Sequence, residues 1–180
     1  MVRLSMNELT TFRWPFDEDV RQYAAAGFDA IAVWRQKVSD FGEEKAIELL
    51  EDSPLRVSTL LWAGGFTGSD GRTHTESVED ALEAVQLAGD LKANSLVVYT
   101  GSRSGHTHNH AKRLFRHAVE ALLPCATECG VTLAVEPMIV EFPPSPAPSA
   151  SAHHNAGPPE PAAMTSWITG IIAIATGTLS

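Results

Sequence analysis

The chain has no lysine or arginine after Arg116. Its final third therefore carries no permanent positive charge. With a net charge of -9, the chain as a whole lacks the clustered cations that a phosphate backbone demands, which excludes nucleic acid as the main partner. Cysteine is nearly missing as well. Cys125 and Cys129, the two present, are too few for a disulfide framework, and no further ligands stand at zinc spacing. They read as small apolar helix residues in a reducing, cytoplasmic compartment. The N-terminal stretch MVRLSMNELTTFRW has no long apolar run after its basic residue, so it does not read as a signal peptide. No stretch reaches the ~20 predominantly apolar residues of a spanning helix, and no membrane partner is expected. The first expected strand-to-helix turn, Asn7 to Thr11, has no glycine, which removes the dinucleotide fingerprint.

What is present is repetition. The 180 residues are 44% hydrophobic, enough for one domain with a real core. Short apolar runs alternate with amphipathic stretches up to Glu136. Val2–Met6, Ala30–Trp34, Leu55–Trp62, Ser95–Tyr99 and Val131–Val135 read as strands. Between them, Phe16–Ala26, Glu43–Leu50, Ser77–Leu91 and Asn109–Cys129 carry apolar residues at spacings of three and four, as helices do. Asp17, Glu18 and Asp19 crowd the first turn of the first helix, where the dipole favours negative charge. Repeated βα units with continuously apolar strands imply a parallel sheet, in either a (β/α)8 barrel or an open doubly wound form. The missing glycine fingerprint argues for the barrel.

In a barrel, chemistry sits where the strands end. Those ends carry Asn7 and Glu8, then Trp34, then Trp62 with a glycine-rich loop, then Tyr99 followed by His106, His108 and His110, and finally Glu136. Aromatic rings that cover C–H faces, beside amide, imidazole and carboxylate tips, suit a small polyhydroxylated ligand. The loop Ala63–Gly71 lacks the Lys-Ser/Thr ending of a phosphate-binding loop and reads as a flexible lid. Glu136, directly after Leu133-Ala134-Val135, is costly to bury without a partner such as a metal cation.

The segments RLSMNELTTF, AAAGFDAIAVWR, LRVSTLLWAGGFTG, SVEDALEAVQLAGDLKANSLVVYTG and GVTLAVEP, in that order, resemble the sugar phosphate isomerase/epimerase family of the xylose-isomerase-like TIM barrel superfamily. The resemblance covers residues 1 to about 138. It implies carbohydrate metabolism on a small sugar or sugar phosphate, by proton transfer next to a carbonyl. It also implies a divalent metal (Mn, Mg, Co or Zn) at the carboxyl rim, held by a Glu from strand five and by an Asp, a His and a Glu from strands six to eight. By this resemblance Glu136 matches the first metal ligand and a catalytic carboxylate. His108 falls at a catalytic position, and Asn7, Trp34, Trp62, Tyr99 and His106 line the sugar site.

Past Met138 the pattern stops. Residues 139–163 are rich in Pro, Ala and Ser and read as disordered linker; 164–180 form a short apolar segment that reads as a strand or helix covering a sheet edge. The expectation is thus a partial (β/α)8 TIM barrel in residues 1–138, with about five parallel strands and four helices. It lacks strands six to eight and three of the four family ligands. Such a sheet would have open edges at strands one and five and an uncovered inner face, which invites self-association. A truncated fragment that binds carbohydrate or a partner chain without catalysis is the alternative.

Overall fold

The computed structural model describes residues 3–136 and 172–174. The elements run β1 (Ser5–Asn7), α1 (Phe16–Ala25), β2 (Ala30–Trp34), α2 (Arg35–Phe41), α3 (Glu43–Glu51), β3 (Arg56–Gly64), α4 (His74–Asp90), β4 (Ser95–Tyr99), α5 (His108–Glu128), β5 (Thr132–Glu136) and β6 (Ile172–Ile174). A 3-10 turn, Glu8–Thr11, follows β1 directly. Strands β1 to β5 pair in chain order and all in parallel. This is the expected partial barrel.

Strands β2, β4 and β5 form close to where the apolar runs predicted them, because each is buried along its middle, whereas β1 is shorter than its expected run and its Ser5 is exposed. Alternation along a strand sends neighbouring side chains to opposite faces. Ile31, Val33, Leu60, Leu96, Val98 and Leu133 enter the main core beneath the helices. Phe16 and Val20 of α1, Ala46 of α3, Ala81 and Val85 of α4, and Leu122 of α5 meet them there. Each fully buried Leu, Ile or Phe contributes about 1.5–3 kcal/mol. The opposite, concave face holds a second cluster of Ala32, Leu61, Val97 and Ala134, with Leu9 and Trp62 packed against it. The expected bare inner face is therefore not found at mid-strand. The residues there are mostly small and are shielded by these larger neighbours.

Three further features differ from expectation. Helix α2 was not anticipated. It forms because Val38 is fully buried and Phe41 stacks on Phe16 at 5.4 Å. Helix α4 begins earlier than its apolar stripe suggests. Thr73 and Glu76 close a reciprocal capping box, with the Glu76 N–H donating to Thr73 Oγ1 at 3.2 Å and the Thr73 N–H to Glu76 Oε2 at 2.7 Å. The edge of β5 is not open either: β6 pairs with it antiparallel, Val135 opposite Ile172 and Leu133 opposite Ile174. Ile172–Ile174 are the described part of segment 164–180. The rest of 139–180 lies outside the described residues. Leu4, Phe12 and Trp14 are the exposed large apolar side chains among the described residues, and all lie near β1.

Candidate functional site at the carboxyl rim

Tyr99 ends β4 and Glu136 ends β5, and the two are register partners. Val97 and Ala134, two residues earlier, belong to the concave cluster, so alternation sends Tyr99 and Glu136 to that same face. Trp34 stands two residues after Ala32 of the same cluster. Trp62 packs on the cluster directly, and the Leu61–Trp62 peptide is cis. Four of the expected residues thus gather on one concave rim. Asn7 reaches the same end, in register with Ala32, but its Oδ1 accepts the Leu9 N–H at 2.9 Å and caps the 3-10 turn.

The histidines are placed differently. His106 lies in the β4–α5 loop, with Nε2 3.1 Å from the Thr67 carbonyl oxygen. Its ring stacks on His110 at 4.7 Å. His108 opens α5, and its Nδ1 is buried without a hydrogen-bond partner. Burial, reinforced by the charges of His106 and Arg113, pushes His110 below the usual imidazole value.

The glycine-rich loop after β3 is anchored rather than a loose lid. Phe66 is fully buried and meets Phe115 of α5 at 6.0 Å. The Thr67 hydroxyl donates to the Ser102 carbonyl, and the Ser102 N–H donates to Ser69 Oγ at 3.3 Å. Gly64, at the end of β3, has φ +147, and a Cβ there would lie 2.1 Å from the Tyr99 carbonyl oxygen. Only glycine lets β3 and β4 close at this point.

Beside Tyr99 runs an ion network that the sequence pattern did not reveal. Asp80 of α4 bridges two arginines, taking Arg35 Nη1 at 2.8 Å and Arg72 Nη1 at 2.9 Å. Arg72 also donates from Nε to Asp70 Oδ2 at 2.8 Å and from Nη2 to the Gly64 carbonyl at 3.1 Å. Burial acts to raise the Asp70 carboxyl, but the bonds and charge of Arg72 override it and hold Asp70 below the usual range. Burial, then the charge of Asp70, pushes the Tyr99 phenol up.

A second hidden cluster lies behind β1 and β2. Glu8 and Asp19 are fully buried and Lys37 nearly so. Lys37 Nζ contacts Asp19 Oδ2 and donates to the Thr11 carbonyl at 3.0 Å and the Glu8 carbonyl at 3.4 Å. The Thr11 hydroxyl donates to Asp19 Oδ1 at 2.6 Å and also meets the Tyr23 hydroxyl. Glu8 Oε2 accepts the Trp34 N–H at 2.6 Å. Asp19, read from the sequence as a dipole-facing acid, is instead a buried ion-pair partner. The sequence hint was a lone lysine in the otherwise unassigned stretch after β2.

A cleft of about 370 Å³ lies at the amino ends of β3 and β4, between Leu50, Glu51, Arg56 and Lys92. It is at the wrong end of the strands for barrel chemistry. Among the described residues no three His, Cys, Asp or Glu side chains converge to hold a metal ion. The described residues by themselves thus do not make up the family's metal site, and no such set accompanies Glu136 among them. No helix among them is long and apolar enough to cross a membrane.

The family model for the xylose isomerase-like TIM barrel matches residues 20–150. The chain belongs to that family. Among solved structures it is similar to protein SMc04130 from Sinorhizobium meliloti, with TM-score 0.68 and 31% identity over 74% of this chain and 50% of that one. It also resembles the IOLI protein with a bound zinc atom (TM-score 0.64, 17% identity, covering 76% and 51%). A third is the 3-keto-D-glucoside 4-epimerase YcjR from E. coli (TM-score 0.62, 12% identity, covering 76% and 56%). The last two likenesses establish fold alone. The chain spans about half the length of each of these three structures. No curated protein matches it.

Proposed function

We propose that the carboxyl rim binds a small sugar or sugar phosphate and serves isomerisation or epimerisation by proton transfer next to a carbonyl. The observation that carries this reading is the Tyr99–Glu136 register pair on a concave rim shared with Trp34 and Trp62. The indole rings cover the C–H faces of a sugar, and Tyr99 addresses its hydroxyls. Glu136 is the carboxylate available to take the proton, and His108, with its unshared Nδ1, is a second group for proton transfer. Asn7 and His106 complete the polar rim. A proton next to a carbonyl is weakly acidic, so the developing oxyanion needs a fixed donor. On this reading the Tyr99 hydroxyl, which lies beside Arg72, takes that role. The family's divalent ion (Mn, Mg, Co or Zn) would need ligands beyond the described residues. With the free cysteines, the reading places the protein in the cytoplasm. Self-association through sheet edges would fall to β1, beside exposed Leu4, Phe12 and Trp14.

A second reading is favoured by the lack of a convergent metal-ligand set among the described residues: a half-length barrel that binds carbohydrate without turning it over. Elemental analysis of the purified chain separates the two, followed by an epimerase assay on simple ketoses with Glu136→Gln as control. One divalent ion per chain and turnover lost in the variant support the enzyme. Ketose binding without metal or turnover supports the binding module.

A further inference from the structure

The Glu8 carboxyl has an unsolved half. Oε2 accepts the Trp34 N–H, while Oε1 is buried with no hydrogen-bond partner. The Glu8 side chain also meets the Asp19 carboxyl, itself an acceptor already holding Thr11 and Lys37. Two carboxylates in contact cannot hydrogen-bond. One carboxylic acid and one carboxylate can, because the acid's O–H donates. A proton on Oε1 therefore resolves the orphaned oxygen. It also balances the charge: neutral Glu8, Asp19 minus and Lys37 plus sum to zero, whereas ionised Glu8 leaves a buried negative charge unmatched.

We propose that Glu8 is a positioning residue held as a neutral acid, which fixes Trp34 at the mouth of the site by accepting the Trp34 peptide N–H at one oxygen and giving its own proton to Asp19 from the other. Among the described residues, the groups facing it come from four elements. The helix α1 supplies Asp19 and Tyr23, α2 supplies Lys37, the 3-10 turn supplies the Thr11 hydroxyl, and β2 contributes only the Trp34 N–H. Burial acts against ionisation and, with the charge of Asp19, outweighs the Trp34 N–H and Lys37, which favour the carboxylate, lifting the Glu8 carboxyl to about 8. Trp34, two residues after Ala32 on the same strand, carries the cluster's hold to the concave rim. The significance of that rim rests on the sugar-binding reading above, but the grip itself does not.

The test uses the full chain, labelled with 15N-tryptophan, and follows the Trp34 backbone amide from pH 6 to pH 10 by NMR. Loss of one signal in Trp34→Phe assigns it. The Trp34 amide shift should move with a midpoint between pH 7 and pH 9, as the neutral acid becomes a carboxylate and the N–H bond to it strengthens. Glu8→Gln keeps a neutral group that accepts from Trp34 and donates to Asp19. It should leave the Trp34 signal near its pH 6 position and remove the titration. A wild-type midpoint below pH 6, no titration, or the same titration in Glu8→Gln overturns the proposal. Should the glutamine variant fail to fold, the wild-type midpoint alone decides. Because neither sugar nor metal enters the measurement, failure here and failure of the sugar-binding reading are separate results.

Discussion

Tyr99 and Glu136 are register partners on adjacent parallel strands, each the last residue of its strand and each directed to the concave face. A phenol and a carboxylate are thereby held side by side by backbone pairing rather than by a mobile loop. On the sugar-binding reading, the two should be separable by substitution. Glu136→Gln should lower any ketose turnover by a hundredfold or more, the usual scale for losing a general base. Tyr99→Phe should weaken ketose binding about tenfold, the equivalent of one lost hydrogen bond of ~1.4 kcal/mol, and should lower turnover as well, because its hydroxyl is the donor to the developing oxyanion. Calorimetric titration and turnover assays on both variants test this, and equal effects on binding from both would contradict the assignment.

Gly64→Ala probes how β3 and β4 close at the rim. The added methyl group would meet the Tyr99 carbonyl oxygen at 2.1 Å and the Tyr99 ring at 2.9 Å. Neither backbone can yield cheaply, so a loss of about 3 kcal/mol or more is expected. Gly71→Ala is the matched control. It also has positive φ, +88, but faces open space, and should cost only about 1–2 kcal/mol. Urea midpoints of the two variants give the comparison.

Asp80→Asn should uncouple α4 from the rim. It removes one anion from between Arg35 and Arg72, which lie at 2.8 and 2.9 Å. The three side chains remain partly exposed, so solvent screens the pairs and the expected loss is about 1–2 kcal/mol. The loss should shrink in high salt. A loss unchanged between low and molar salt would show that packing, not charge, carries the interaction.

The buried cluster makes stability depend on pH in a direction unusual for a carboxyl group. Folding raises Glu8 from 4.5 to about 8, with burial as the leading cause. Between these values the folded chain keeps a proton that the unfolded chain has released. Its stabilising contribution is therefore complete below the lower value and declines as pH rises through the window. The limiting slope is roughly 1.4 kcal/mol per pH unit. Urea denaturation at steps across this range should show the decline, and Glu8→Gln should flatten it. Stability rising with pH in the wild type would contradict the burial effect.

The sheet and the order of its strands were legible because each strand is a nearly continuous apolar run, and Ala30–Trp34, Ser95–Tyr99 and Thr132–Glu136 came out close to their expected ends. Helix α2 was not legible. Arg35–Phe41 carries only two large apolar residues, and the partner that makes Phe41 a core residue, Phe16, is distant in sequence. The charged clusters were hidden for the same reason. Lys37 meets Asp19 from 18 positions away, and Arg35 meets Asp80 from 45. A single charged letter reads as surface until its partner is known, and pairing across such distances is a property of the fold. The rim aromatics were readable because strand ends can be counted from the sequence. The loop after β3 was misread as loose because its glycines hide the burial of Phe66.

The reversed direction of β6 sets a rule of exclusion at the far border of the sheet. Its backbone takes up the outward-facing amides and carbonyls of Leu133 to Val135. A sixth strand running the same way as the first five would need those same groups. The two arrangements compete for one row of donors and acceptors, so any growth of the sheet toward a closed cylinder on that flank must begin with the departure of Ile172–Ile174.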